Sequence, residues 1–220
     1  MNNVRWHEVA DVAAEALPVV LSAAADALAA RGRFDIVLAG GSTPRELYRQ
    51  LAALQPDMTG WHVWLGDERC LPESDPQRNS RMILDAWPAV AGLPAGHWHP
   101  MRAELGAQAA VVEYAGQLAG VGSFDLVLLG LGEDGHTASL FPGHAMDVAS
   151  EPVLAVSGAP KPPADRVSLS ASRLSDARQV LFLVAGAGKR NAMTAWREGQ
   201  DIPAAAIRPA GGVDVLFNLD

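Results

Sequence analysis

The chain alternates between short runs dominated by apolar residues and longer segments in which apolar side chains recur every three or four positions. The short runs are typical of strands buried on both faces of a sheet, and the longer segments have the periodicity of helices. The predicted strands cover residues 34–39, 61–65, 124–129, 153–156, 166–170, 180–185 and 213–217, and the predicted helices cover residues 8–30, 44–54, 79–87, 104–119 and 188–198, with a short helix starting near Thr137.

The order of these elements predicts the fold class. Strands that alternate with helices imply right-handed βαβ crossovers and a mainly parallel sheet that is covered on both faces. The fold class is therefore α/β. No linker divides the chain, so we predict a single domain over residues 1–220.

The first thirty residues bear on targeting and membrane association. The N-terminus has no basic segment followed by an apolar one, which is the pattern of a secretory signal. Within these thirty residues the longest stretch without polar residues runs from Ala16 to Leu21, and a membrane span needs about 20 apolar residues. We expect Pro18 to kink or split the first helix. We also expect a cytoplasmic protein with no membrane partner.

Composition and charge exclude several classes of protein. Of the 220 residues 49% are apolar, which is typical of a globular protein. The 17 basic and 25 acidic residues give a net charge of −8, which disfavours a nucleic-acid partner because phosphate backbones bind basic faces. The single cysteine, Cys70, excludes an internal disulfide framework and a cysteine-based zinc site. No heptad pattern indicates an oligomer, and we expect a monomer.

A glycine-rich loop follows the predicted strand 34–39. It reads Gly40-Gly41-Ser42-Thr43-Pro44, and its glycines allow tight turns and close approach of the backbone. Pro44 suits the first position of a helix, and Thr43 with Glu46 has the spacing of a capping box. Free N–H groups and the positive dipole end of such a helix suit a phosphate. From these residues alone, a phosphate site and a capped helix after a tight turn remain open alternatives.

A second glycine-rich loop follows the predicted strand 124–129. The segment from Gly130 to Gly135 matches the dinucleotide-binding pattern G-x-G-x-x-G. The carboxylates of Glu133 and Asp134 would repel a pyrophosphate there. In addition, no acidic residue ends a strand about 20 positions later, as ribose binding requires. We therefore disfavour dinucleotide binding.

The two loops belong to similar segments, FDIVLAGGSTP and FDLVLLGLGEDGH. Each has Phe-Asp, an apolar run and then glycines. Loops that follow parallel strands lie at the same end of a sheet, which is where ligands bind in open α/β folds. We expect the two loops to share one site.

His136 follows the second loop and stands two residues after Asp134. An acid beside an imidazole can fix its tautomer, and a neutral imidazole can take a proton from water. This setting favours a catalytic base over a capping or core histidine. The other five histidines lack such a setting. His97 and His99 could pair on a metal, but their loop has no acidic or cysteine ligand, so we interpret them as surface or packing residues.

Three cationic residues lie at the ends or starts of predicted strands. Arg69 follows the strand 61–65, Arg166 begins a strand, and Lys189 follows the strand 180–185. Most such charges are solvated surface residues, but these positions also suit contacts with an anionic substrate. Ser42 and Ser139 lack the G-x-S-x-G elbow, which disfavours an α/β-hydrolase nucleophile.

Five motifs occur together along the chain: GGSTP, GDERCLP followed by Asn79, LGLGEDGHTASLFPG, the segment from Lys161 to Ser170, and Gly-Ala-Gly-Lys189. In this combination and order they resemble the 6-phosphogluconolactonase family, and the resemblance spans residues 34 to about 198. It implies a three-layer α/β/α sandwich with a mainly parallel, Rossmann-like sheet. Glucosamine-6-phosphate deaminase and ribose-5-phosphate isomerase share this fold.

The resemblance also implies an activity and its residues. The activity is hydrolysis of 6-phospho-D-glucono-1,5-lactone to 6-phospho-D-gluconate in the pentose phosphate pathway, with no metal and no organic cofactor. The chain departs from the family at Arg78, where Ser is usual, and ends early, at Asp220. The positions that match the family are His136 as general base, Asp134 as its orienting acid, Gly40, Gly41, Ser42 and Thr43 as the phosphate-side loop, and Arg69, Arg166 and Lys189 as cationic substrate contacts.

Two alternatives differ from this activity. Glucosamine-6-phosphate deaminases have a similar D-G-H segment, but their loop typically continues with Asn-Glu-Pro, whereas this chain has no acid between Ser139 and Pro142. A non-catalytic phosphosugar-binding module would keep the first loop and the cations without needing Asp134 and His136.

A lactone is an activated ester and needs no covalent nucleophile, so a base that activates water suffices.

Overall fold

The computed structural model describes residues 3–146 and 151–220. The strands are β1 (Val4–Glu8), β2 (Phe34–Leu38), β3 (Trp61–Leu65), β4 (Asp67–Arg69), β5 (Trp98–His99), β6 (Phe124–Gly130), β7 (Val153–Val156), β8 (Arg166–Leu169), β9 (Ala177–Ala185) and β10 (Val213–Asn218). The helices are α1 (Val12–Arg31), α2 (Ser42–Leu54), α3 (Asn79–Ala86), α4 (Ala107–Leu118), α5 (Ala171–Ser175) and α6 (Arg190–Arg197).

A seven-stranded sheet forms the centre of the fold. Its strand order is β1-β10-β9-β6-β2-β3-β5, and each pairing is parallel. Helices flank the sheet, and its central strands β2 and β6 are buried along almost their whole length. The predicted α/β class with a mainly parallel, Rossmann-like sheet is confirmed.

The sheet reverses its winding direction between β2 and β6. From β2 the chain passes through α2 to β3 on one side, while β6, β9 and β10 lie on the other side. In open α/β folds, ligands bind beyond the carboxyl ends of the strands at such a point. The two glycine-rich loops follow β2 and β6, which are paired neighbours, so both loops border this crevice as predicted.

A separate three-stranded antiparallel sheet has the order β4-β8-β7. The sequence predicted β7 and β8 but no strand at β4, because Asp-Glu-Arg contains no apolar run. In this sheet Asp67 pairs with Ser168, and Arg69 pairs with Arg166. The small sheet therefore brings together two cations that are far apart in sequence.

The N-terminal segment differs from its prediction. The helix predicted from residue 8 begins at Val12, and the Asp11 side chain caps it by accepting hydrogen bonds from the N–H groups of Ala13 and Ala14. Residues Val4–Glu8 form an edge strand parallel to β10 instead. Their alternating apolar and polar residues are typical of a half-exposed strand.

Helix α1 corrects two expectations. It runs through Pro18 without splitting. Proline removes one backbone hydrogen bond of the helix, and the burial of neighbouring residues such as Ala16 and Val20 compensates for that loss. With 20 residues it is also long and apolar enough, by length and composition alone, to cross a membrane, contrary to our expectation. Core helices pass the same test, and one side of α1 packs against β2, β6, β9 and β10.

The helix predicted near Thr137 does not form, because residues 136–146 fold as turns. Thr137 and Leu140 form an isolated antiparallel bridge. The hydroxyl of Thr137 donates to the carbonyl oxygen of Gly130 at 2.9 Å, and the hydroxyl of Ser139 donates to Asp67 at 2.6 Å. These side-chain hydrogen bonds compete with helix formation and hold the segment against the ends of β6 and β4.

Candidate active site

Asp134 and His136 form a hydrogen-bonded pair in the loop after β6. Nδ1 of His136 lies 2.5 Å from Oδ1 of Asp134, and the backbone N–H of His136 donates to the same oxygen at 3.2 Å. An ionised carboxylate can only accept, so this contact places a proton on Nδ1 and leaves Nε2 free to accept another. The imidazole is 22% exposed, so water can reach it.

The environment of Asp134 keeps its carboxyl group ionised. Partial burial would raise the pKa of this group, but the hydrogen bond and the charge of His136 outweigh burial and lower the pKa of Asp134 below its usual value. Asp134 therefore acts as a fixed acceptor that holds the imidazole ring in one tautomer and one orientation.

The backbone of this loop leaves no room for side chains at two glycines. A Cβ atom on Gly132 would lie 1.9 Å from Nδ1 of His136. Gly135 has a φ of +85°, and a Cβ atom there would lie 2.8 Å from Ile202. These glycines let the loop fold tightly around the Asp134–His136 pair, which accounts for the glycine pattern without a dinucleotide.

The ring of Phe141 contacts both His136 and Arg166. The ring centroids of Phe141 and His136 are 4.8 Å apart, and the guanidinium carbon of Arg166 lies 5.8 Å from the centroid of Phe141. Arg166 is only 5% exposed, and burial lowers its pKa. Its guanidinium donates to the carbonyl oxygens of Lys161 and Pro163 at 2.9 and 3.0 Å. The Lys-Pro-Pro segment therefore fixes the guanidinium of Arg166 beside the Phe141 ring, which His136 also contacts.

Arg69 stands directly opposite Arg166 in the small sheet. Its Nη1 donates to the carbonyl oxygen of Gln77, whereas its Nε is buried and has no hydrogen-bond partner among the described residues. Like charges in directly opposed positions destabilise a sheet, and an unpaired buried donor is uncommon. Both features suit an anion at this position.

Lys189 belongs to the loop between β9 and α6, next to the His136 loop. A Cβ atom on Gly188 would lie 3.0 Å from the carboxylate of Glu133, so the two loops are in contact. Lys189 forms no ion pair with any residue of the described ranges. Its ammonium group therefore remains available to an anionic ligand.

Helix α2 begins two residues earlier than predicted. Ser42 is its first residue and Gly41 its N-cap, with φ of 110° and no side-chain capping hydrogen bond. The predicted capping box of Thr43 and Glu46 does not form, and Pro44 is third in the helix rather than first. The amide groups of Ser42 and Thr43 thus lie in an uncapped first turn, which suits an anion.

A series of contacts joins the glycine-rich loop before α2 to the segment that follows the loop after β6. Nδ2 of Asn79 donates to Oδ1 and to the carbonyl oxygen of Asp67, both at 2.9 Å. The other carboxylate oxygen of Asp67 accepts the 2.6 Å hydrogen bond from Ser139. Asn79 also lies against Gly40, where a Cβ atom would be 2.1 Å from its Oδ1. Gly40 is therefore positioned relative to Ser139, three residues after His136.

Glu68 organises the start of α3 from a fully buried position. The prediction of site residues from sequence missed it, because an acid in a polar segment looks like a surface residue. Its carboxylate accepts hydrogen bonds at 2.7–2.8 Å from the backbone N–H groups of Arg69, Asn79 and Ser80.

Arg78 is the cation that accompanies Glu68, and it is 2% exposed. Its Nε lies 3.4 Å from Glu68, and its Nη1 donates to Glu104 at 2.8 Å. Burial opposes the charge of Arg78, but the hydrogen bond to Glu104 and the charge of Glu68 raise its pKa above the usual value.

The two histidines rejected as a metal pair have packing roles. The rings of His99 and Trp64 stack with centroids 3.5 Å apart and planes 2° apart. His97 stacks on His62 at 4.0 Å. Across residues 3–146 and 151–220, no group of three or more His, Cys, Asp or Glu side chains is arranged to hold a metal ion.

Comparison with known proteins places these features in a family context. Residues 7–216 match the family model described as glucosamine-6-phosphate isomerases/6-phosphogluconolactonase. The chain is 38% identical to a 6-phosphogluconolactonase of Streptomyces coelicolor, over 89% of this chain and 82% of that protein. It is 35% identical to a 6-phosphogluconolactonase of Synechocystis, over 93% of this chain and 89% of that protein.

Solved structures agree with this comparison. The crystal structure of 6-phosphogluconolactonase from Thermotoga maritima matches with a TM-score of 0.88 and 28% identity, over 97% of each chain. A monomeric glucosamine-6-phosphate deaminase of the NagB superfamily matches with a TM-score of 0.82 and 20% identity, over 99% of this chain and 97% of that chain, which shows the shared fold alone. The resemblance found in the motifs is confirmed.

Proposed function

The chain belongs to the family of glucosamine-6-phosphate isomerases and 6-phosphogluconolactonases, and on this premise we propose that it hydrolyses 6-phospho-D-glucono-1,5-lactone to 6-phospho-D-gluconate. Its relatives carry the name of this activity, which is a carboxylic ester hydrolysis of the pentose phosphate pathway. The observation that carries the proposal is the Asp134–His136 pair, held at the sheet end where the anion-binding features also lie.

In the proposed mechanism His136 is the general base. Nε2 takes a proton from a water molecule while the water oxygen attacks C1 of the lactone, and the carbonyl oxygen becomes an oxyanion. The intermediate then collapses, the bond from C1 to the ring oxygen breaks, and the imidazolium returns the proton to that oxygen. Asp134 supports the imidazolium form by accepting from Nδ1–H throughout.

The phosphate end of the substrate would bind among the cations. Arg69, Arg166 and Lys189 supply positive charge, and the uncapped first turn of α2 supplies amide donors near Ser42 and Thr43. Anchoring the phosphate far from C1 orients the lactone toward the water, which lowers the entropic part of the barrier. The buried, unpaired Nε of Arg69 supports its role as a phosphate contact.

The deaminase alternative is disfavoured by the segment after His136. In place of an acid, Ser139 is fully buried and donates to Asp67, so it has a structural role. A binding module without catalysis is disfavoured because it needs no oriented imidazole. One domain, a monomeric state, a cytoplasmic location and the absence of nucleic-acid and membrane partners remain predictions. The pairing of β1 with β10 in one sheet supports the single domain.

An assay with two substrates tests the proposal. We expect acid release from 6-phosphogluconolactone, measured at constant pH, well above its spontaneous hydrolysis, and no ammonia release from glucosamine 6-phosphate. Ammonia release would favour the deaminase. Binding of 6-phosphogluconate without any turnover of the lactone would favour the binding module.

A further inference from the structure

Arg78 lies behind the substrate site and fastens three segments of the chain to one another. Besides contacting Glu68 and Glu104, Arg78 donates two hydrogen bonds to backbone carbonyl oxygens. Nη2 donates to the carbonyl oxygen of Met101 at 2.7 Å, and Nη1 donates to the carbonyl oxygen of Leu71 at 3.3 Å. These acceptors come from β4, from the loop that follows it and from the segment before α4. A single guanidinium therefore fixes β4 and the start of α3 to the body of the protein.

Two hydrogen bonds connect this cluster to Arg69. Glu68, the ion-pair partner of Arg78, accepts from the backbone N–H of Arg69 at 2.8 Å. The guanidinium of Arg69 donates to the carbonyl oxygen of Gln77, the residue immediately before Arg78. Both the backbone and the side chain of Arg69 are thus held by groups that Arg78 anchors.

A third connection leads to the glycine-rich loop before α2. Asn79 follows Arg78 directly, and its backbone N–H donates to Glu68 at 2.7 Å. Its side chain lies against Gly40 and bonds Asp67, as described above. The contact with Gly40 is close enough that a displaced Asn79 would change the loop that leads into α2.

We propose that Arg78 is a positioning residue for the phosphate end of the substrate site, acting on Arg69 through Glu68 and Gln77 and on Gly40 through Asn79. The inference rests on the proposed function for the identity of the ligand.

Arg78 acts through these neighbours rather than by touching substrate. On its other side it lines a separate cavity of about 570 Å³, together with Trp98, Arg102 and Glu104. Its role also requires an arginine. Lysine would keep the charge, but its single ammonium lacks the planar fork that reaches Glu68, Glu104 and two carbonyl oxygens at once.

The test compares Arg78→Met and Arg78→Lys with Arg81→Met as a matched control. Arg81 lies on the same helix and borders the same cavity, but it is about half exposed, and its one ion pair within the described part of the chain is with Asp85. We expect Arg78→Met to raise the KM for 6-phosphogluconolactone about tenfold, with kcat changed less than about threefold, because lost positioning weakens binding of the phosphate. Arg78→Lys is expected to give an intermediate KM and Arg81→Met an unchanged KM.

Binding of the product provides a readout that a purely structural role would not change. Calorimetry below the unfolding temperature should show the same loss of affinity for 6-phosphogluconate in Arg78→Met, and little further loss when Arg69→Met is added. A folded Arg78→Met variant with wild-type KM and affinity would overturn the inference, as would full additivity with Arg69→Met.

Two further measurements keep the inference decidable. If Arg78→Met does not fold, Glu104→Gln should raise KM about two- to threefold, and an unchanged KM in that variant overturns the inference. If the wild type binds 6-phosphogluconate without hydrolysing the lactone, the proposed catalysis fails while the binding comparison still decides the role of Arg78. If the wild type neither binds 6-phosphogluconate nor hydrolyses the lactone, the proposed function and the role of Arg78 both fail.

Discussion

Arg69 and Arg166 face each other as directly opposed residues of the antiparallel strands β4 and β8. Two guanidinium groups in this arrangement repel each other, so an anion bound between them removes an unfavourable interaction in addition to forming hydrogen bonds. Strand pairing would therefore prepare the proposed phosphate site before substrate arrives. The same relationship makes the site testable by changing one arginine.

Arg69→Met is expected to raise the KM for the lactone about 10- to 100-fold, because a charge-assisted hydrogen bond contributes about 1.5–3 kcal/mol. Steady-state kinetics would measure the change. The variant should also lose the rise in melting temperature that 6-phosphogluconate gives the wild type. Arg49→Met, an exposed arginine paired with Glu46 on α2, is the control and should behave as wild type. Unchanged affinity in Arg69→Met would remove Arg69 from the site.

His136→Ala is expected to lower kcat about 10²- to 10⁴-fold with little change in KM, because it removes the group that takes the proton from water. Asp134→Asn should also lower kcat, since an amide can donate to Nδ1 and so favour the wrong tautomer. Both are measured with the lactone after subtraction of spontaneous hydrolysis. A near-normal kcat in His136→Ala would end its assignment as the base.

Gly132→Ala tests whether the tight loop is needed for catalysis. The added Cβ atom would lie 1.9 Å from Nδ1 of His136, so the imidazole must move, and we expect kcat to fall at least about tenfold. Gly130→Ala is the matched control, because a Cβ atom there meets nothing within 4 Å. Equal kcat values in the two variants would show that the position of the ring is not limiting.

The stacked histidines predict a loss of stability in mild acid. Burial, followed by the charge of Arg33, lowers the pKa of His62 from 6.5 to about 4, and burial also lowers the pKa of His99. Asp35 opposes the shift, while His97 adds to it. Between about pH 6.5 and pH 4 the unfolded chain binds more protons than the folded chain, because His62 is protonated only when unfolded. The contribution of His62 to stability is therefore full above about pH 6.5 and is lost as the pH falls toward 4.

Urea unfolding at pH 7 and pH 5 would measure this loss. His62→Gln removes the titrating group, so its free energy of unfolding should fall less between the two pH values than that of the wild type. An equal fall in both proteins would show that His62 does not contribute. The comparison within each protein cancels any effect of the substitution that is independent of pH.

Local patterns were sufficient to predict the strands of the central sheet. The runs at Phe34–Leu38 and Phe124–Gly130 are almost wholly apolar because both faces of these strands are covered, and a buried strand of this kind needs no information from the rest of the chain. The pair of Asp134 and His136 was also predictable, because its two members are separated by one residue.

Features that depend on distant contacts were not predictable in this way. Strand β4 is entirely polar and exists because it pairs with β8, so neither the strand nor the opposition of its arginine to Arg166 follows from the local sequence. The capping box near Thr43 was a wrong prediction, because local spacing cannot show that Asn79 packs against Gly40. Glu68 was missed because its burial comes from the fold.

The parallel pairing of β1 with β10 has a practical consequence for tethering this protein. Because the two strands run in the same direction, a peptide attached ahead of Val4 leaves at the amino end of the sheet, whereas one attached beyond Asn218 leaves at the end that carries the Asp134–His136 pair. The carbonyl oxygen of Leu219 already contacts Arg190, the residue after Lys189. Immobilisation or fusion through the upstream side would keep the proposed substrate site clear, and a bulky downstream extension would crowd it.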